Sequence, residues 1–150
     1  MRNVTILLLA LAACTRADQQ ASDMPDTGAP GAAALMASDV SGSWTGTTMA
    51  EGSDSVVGRW TTTQVTDSTS IVVFEGSPDT VRSRVTFEAD SMIVASDPYT
   101  ARALPGSPQV RFRSIGRLSA GRLVGTSTLM LAANQDSVIR RSRWEASRAP

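Results

Sequence analysis

Six carboxylates, Glu51, Asp54, Glu75, Asp79, Asp97 and Asp136, fall in the turn-rich gaps between apolar runs. Brought to one rim, such a set could hold a hard cation such as calcium, which takes about six to eight oxygens. No Asp-x-Asp-x-Asp-Gly spacing accompanies them. Two stand beside Ser just before an apolar pair, in Asp54-Ser55-Val56-Val57 and Asp136-Ser137-Val138-Ile139, and Asp79-Thr80-Val81 is a variant. There Asp and Ser bond to nearby backbone and favour a turn, so these acids have a structural role before a chemical one. A second group is Arg140 with Tyr99 and Arg102. Alternation along 137–147 turns Arg140 inward, where a buried charge needs a partner; Glu75, Asp79 or Asp97 would serve, or the carboxylate of a ligand. Tyr99 and Arg102 lie in the longest connecting segment, 97–109, which could cover the mouth of a cavity. A third group, Arg111, Arg113, Arg117, Arg122, Arg141 and Arg143, falls on the opposite phase of the last runs. It makes a solvated basic face, or one that meets anionic headgroups or glycan.

Composition removes most other chemistry. The chain has 150 residues, 14 basic and 14 acidic, with no histidine, and every basic residue is an arginine. Ser-His-Asp and Cys-His relays, histidine metal ligands, Schiff bases and phosphate-loop lysines are excluded. The single cysteine, Cys14, permits neither an internal disulfide nor a multi-cysteine zinc site. Paired-carboxylate hydrolysis has its residue types, but the acids sit at turns and no substrate-stacking aromatics accompany them. No enzymatic activity and no cofactor are expected. Zero net charge gives no reason to expect nucleic acid. The charge is uneven, however: Cys14 to Thr100 holds 4 arginines and 12 acids, Ala101 to Pro150 holds 9 arginines and 2 acids.

The N-terminus reads as an address. Arg2 precedes an apolar run from Val4 to Ala13, too short for a bilayer, which needs roughly 20 residues, but suited to an export signal. Leu11-Ala12-Ala13-Cys14 resembles the bacterial lipobox, which implies cleavage before Cys14 and lipid attachment to it. Thr15, in place of an aspartate, implies outer-membrane sorting with the domain facing the periplasm. Residues 15–38 are small, Pro- and Gly-rich and without period, which suits a flexible tether. The expected organisation is 1–13 signal peptide, 14–38 lipidated N-terminus and linker, and 39–150 folded domain.

From Asp39 onward, short alternating runs are separated by turn clusters, predicting an all-β domain of eight antiparallel strands. The runs are 41–49, 55–65, 70–75, 80–88, 91–97, 109–118, 122–131 and 137–147. A turn at Ala120-Gly121 pairs Leu118 with Leu123, Gly116 with Gly125, Ser114 with Ser127, Phe112 with Leu129 and Val110 with Leu131. One at Ala89-Asp90 pairs Phe87 with Met92 and Val85 with Val94. The last hairpin sets Gly125 opposite Trp144 and Leu131 opposite Val138. A slip of one residue would destroy this agreement of faces. For 70–75, Val72/Phe74 and Ile71/Val73 compete for the inner face.

A meander of eight hairpin-linked strands favours a closed or nearly closed barrel, because closure removes unpaired edges; a two-sheet sandwich is the alternative. Trp44 and Trp144 would share one end with Phe87, Met92, Leu118 and Leu123 and plug it. Gly42-Ser43-Trp44 at the start of the first run resembles the Gly-x-Trp of lipocalins and other calycin barrels. That resemblance implies an arginine from the last strand against the tryptophan; Arg141 and Arg143 are the nearest, though their phase is outward. Small interior residues (Gly46, Gly58, Ser83, Ser114, Gly116, Gly125, Ser127 and Ser142) leave room for a cavity or let the walls draw together. The functional expectation is a lipid-anchored envelope protein acting as a non-catalytic structural or interaction module that meets an envelope protein or glycan. The alternative is a lipocalin-like carrier or sensor of a small apolar ligand. A cavity open at the acidic rim separates the two.

Overall fold

The computed structural model describes residues 34–150, so Cys14, its Leu11-Ala12-Ala13 motif and most of the tether lie outside the described residues. A short helix, α1 (Ala37–Val40), precedes nine strands: β1 (Ser43–Ala50), β2 (Val56–Thr66), β3 (Thr69–Phe74), β4 (Thr80–Glu88), β5 (Ser91–Ser96), β6 (Tyr99–Thr100), β7 (Gln109–Ser119), β8 (Arg122–Leu131) and β9 (Val138–Arg148). Neighbours in sequence pair antiparallel except β5 and β6; β1 pairs with β9, and β5 pairs with β7. The result is a closed eight-stranded barrel, not a sandwich, with the two-residue β6 added beside β7.

Alternation is the cause. On β4, Val81, Ser83 and Val85 are buried while Arg82, Arg84 and Thr86 are exposed. The outside carries exposed Thr45, Thr61, Thr63, Arg113, Arg117 and Arg141. An apolar interior with a polar exterior is the reverse of barrels that cross a bilayer.

Register follows the sequence closely. All five pairs of the 120–121 hairpin and both pairs of the 89–90 hairpin form as expected. In the 120–121 turn Ala120 lies at φ 49° and Gly121 at φ 77°, and positive φ at both central residues matches the twist of a two-residue hairpin; in the 89–90 turn Ala89 alone takes positive φ, at 51°. Val72 and Phe74 take the inner face, leaving Val73 exposed. Gly125 faces Trp144, but Val138 lies opposite Met130 instead of Leu131. A bulge after Leu129 and Arg140 places Ile139 as the extra residue, which shifts the pairing beyond it.

One end is closed by Leu35, Val40, Trp44, Leu123 and Ala146, each buried. Trp144, Met92 and half-buried Phe87 join this cluster as expected, whereas Leu118 does not and is 39% exposed. The closure depends on residues assigned above to the tether. Leu35 donates its N–H to the Ala89 carbonyl at 2.8 Å, and Trp44 Nε1 donates to the Val40 carbonyl at 2.9 Å. The barrel's packing therefore begins by Leu35, ahead of the expected boundary at Asp39.

The arginine against Trp44 is Arg148, not Arg141 or Arg143. Its guanidinium lies 4.7 Å from the ring centroid and donates to the carbonyls of Ser41 (2.7 Å) and Asp39 (2.9 Å). Ending the last run at 147 excluded the residue that pairs directly with Trp44 across β1 and β9.

Candidate functional site

The barrel encloses a cavity of about 640 Å³, within the range of small-molecule sites. Its floor is Val40, Trp44, Val85, Met92 and Leu123; its walls include Trp60, Val72, Phe112 and Trp144; Val56, Val57, Gly76, Ser77 and residues 101–104 lie around its mouth. Trp60 and Trp144 meet edge to face, with centroids 5.8 Å apart at 74°. Nearer the mouth, Phe74 stacks on Tyr99 at 5.7 Å, and Phe112 meets both edge-on. Aromatic rings held this way present broad apolar surface with little freedom left to lose on binding.

Glycines decide which parts are filled. A Cβ at Gly46 would lie 2.4 Å from the Trp60 ring, and one at Gly116 2.5 Å from the Trp144 ring. These bare positions admit the indoles. At Gly58, also on the cavity wall, a Cβ would meet nothing within 4 Å. The interior thus divides into a packed half under the tryptophans and an open half toward the mouth.

The wall's polar groups are largely occupied with one another. Ser114 and Ser127 hydroxyls bond at 2.9 Å, Trp60 Nε1 donates to Thr48 Oγ1 at 3.1 Å, and the Thr62 hydroxyl donates to the Ile71 carbonyl at 3.1 Å. Three residues singled out from sequence, Arg140, Tyr99 and Arg102, all line the cavity. The expected ion pair of Arg140 does not form. Glu75 pairs with Arg59 at 3.7 Å, Asp79 with Arg102 at 2.9 Å, and Asp97 is exposed without an ion pair among the described residues. Arg140 is exposed, so water solvates its charge and no buried partner is required. Asp79 is the first cause raising the Arg102 pKa above its ordinary value, by hydrogen bond and charge. With β6 on β7 and the Ala101 N–H on the Pro108 carbonyl (2.9 Å), this pair ties the 97–108 segment to the β3–β4 turn.

The six-carboxylate rim does not assemble into a cation site. Asp54 pairs with Arg143, while Glu51 and Asp136 are exposed. Among the described residues, no three His, Cys, Asp or Glu side chains gather closely enough to hold a metal ion. Arginines of β2, β9 and the 97–108 segment take three of the acids, and the turns separate the rest.

Trp60, Phe74 and Phe112 were not singled out from sequence as site residues. Trp60 shares the alternation phase of Gly58, which is the signal that would have placed it inside.

Tyr99 is the chain's only tyrosine. Burial pushes its hydroxyl up from 10.0 to about 12, with Arg140 pulling the other way. Because the folded value is raised, this contribution to stability is complete below about pH 10 and is lost as pH rises toward 12. A phenolate absorbance titration should give a native midpoint near 12 and a denatured one near 10. A native midpoint near 10 would mean that the ring is solvated.

Set against known protein families, curated proteins and solved structures, the chain finds no match.

Proposed function

We propose that this chain is an exported, lipid-anchored envelope protein whose barrel receives a small, largely apolar molecule, as a non-catalytic carrier or sensor. The observation that carries the reading is the roughly 640 Å³ cavity, lined by aromatic and aliphatic side chains and open at the rim where Arg140 and Tyr99 stand. A structural or interaction module has no need of such a space, since a small barrel gains most by filling its centre. Trp44 and Arg148 support a lipocalin-like reading, because an arginine of the last strand covers the first-strand tryptophan. Apolar contact would supply the affinity for the ligand's body, and Arg140 and the Tyr99 hydroxyl would receive its polar end. The anchor would be the lipid on Cys14, with the domain facing the periplasm.

The test is native mass spectrometry of the full chain isolated without denaturant, followed by titration with an environment-sensitive apolar fluorophore. The expected result is an added mass released by organic solvent, or saturable uptake of one fluorophore per chain. A chain that carries nothing and takes up no fluorophore would sink the carrier reading. Membrane retention unchanged by Cys14→Ala would sink the anchor separately.

A further inference from the structure

The outer surface of the barrel is divided by charge. On β1, β2 and β3 the outward residues are mainly Thr, Val and Ile, and the one cation, Arg59, is paired with Glu75. On β4, β5, β7, β8 and β9 the pairing aligns Arg84, Ala95, Arg113, Thr128 and Arg141 as successive neighbours in one row. Strands lie about 4.8 Å apart, so these guanidiniums project at intervals of roughly 10 Å with only small side chains between them. Arg82, Arg111 and Arg117 extend the same face along β4 and β7. None of these six arginines has a carboxylate within 4.0 Å among the described residues, although Arg59, Arg102, Arg122 and Arg143 all do. The outward acids of these strands are Glu88 and Glu145, and Glu145 is taken by Arg122.

An apolar pair lies inside this field. Ile93 and Ile115 are direct partners across β5 and β7, one row from Arg113, and Ile115 is 44% exposed. Like charges on one face repel, and among the described residues no ion pair offsets these six. An anionic surface would. Guanidinium groups match phosphate oxygens bidentately, while an exposed aliphatic pair gains by entering the headgroup–acyl boundary. A soluble polyanion would satisfy the arginines and leave the isoleucines in water.

We propose that this arginine-bearing wall docks on a membrane surface rich in anionic phospholipid headgroups, with Ile93 and Ile115 at the centre of contact. The inference rests on the outer face alone and is independent of what the cavity holds.

The test uses the full chain with Cys14→Ala throughout, so that no lipid on Cys14 contributes. Sedimentation is compared with vesicles of phosphatidylcholine alone and with an equal mixture of phosphatidylcholine and phosphatidylglycerol. Any insertion by the N-terminal segment is shared by all variants, so the difference between vesicles and variants is what is read. The mixed vesicles should bind more chain, and added salt should weaken that binding. Each arginine near an anionic surface is worth about fivefold in partition, so Arg84→Gln/Arg113→Gln/Arg141→Gln together should lose about a hundredfold. Ile115→Ser, with all arginines intact, should lose about tenfold. All four positions face outward, and circular dichroism checks that each variant is folded. Equal binding to both vesicles, or a triple variant that binds like the parent, would overturn the proposal. So would a chain that binds soluble polyphosphate as well as it binds the mixed vesicles, with Ile115→Ser without effect, because the partner would then be a dissolved polyanion.

Discussion

Gly125→Ala is expected to destabilise the barrel by about 3 kcal/mol or more, at or beyond the upper end of ordinary overpacking costs. The added Cβ would stand 2.2 Å from the Ile115 carbonyl oxygen and 2.6 Å from the Trp144 ring. A ring can rotate, but a carbonyl in a ladder cannot, so relief requires β7 and β8 to part where Gly116 and Gly125 face each other. Thermal unfolding should show a midpoint lower by roughly 10 °C or more for a domain of this size. Gly46→Ala is the informative comparison. The three atoms nearest its Cβ all belong to the Trp60 ring, which borders the cavity and can shift into it, so the loss should be about half as large. A melting point unchanged by Gly125→Ala would mean that the two strands are not held this closely.

Gly58→Phe should do the opposite, abolishing ligand uptake while leaving stability equal or improved. The position is on β2, faces the cavity, and offers its Cβ no neighbour within 4 Å. Glycine inside a strand costs backbone entropy and packs nothing, so an aromatic residue there should add up to about 1 kcal/mol. The ring would occupy the space between the mouth and the tryptophans. Fluorophore uptake should fall about a hundredfold or more, the equivalent of losing one fully buried side chain's worth of contact. Fluorophore binding equal to the parent's, in a variant that melts normally, would mean that the ligand does not enter the barrel.

These two glycines also show what was legible in the sequence. The period of two and the turns at Ala89-Asp90 and Ala120-Gly121 were sufficient for strands, faces and most of the register, because one slip would invert every side chain of a half-buried strand. The same pattern sets Gly125 opposite Trp144, as the barrel does. It did not distinguish Gly58, which borders empty space, from Gly46, which lies under a ring, since that difference arises only when distant strands close. The helix Ala37–Val40 was missed for a related reason. Four residues carry no readable period, and burial of Leu35 and Val40 beneath the barrel is what holds them. Arg140 was placed on the inner phase correctly, but its setting was not, because alternation gives a direction and says nothing about distance from water. The acidic rim was a property of loop order; pairing of Asp54 and Asp79 with arginines of β9 and the 97–108 segment is a property of the closed barrel.

The distribution of indoles has one more consequence. The chain has three tryptophans, and all of them, Trp44, Trp60 and Trp144, border the cavity. The protein's intrinsic emission is therefore generated almost wholly by the wall of its own chamber, with no indole on the outer surface among the described residues. Its ultraviolet fluorescence is a built-in gauge of whether that chamber is wet, empty or occupied, and it needs no label to be read.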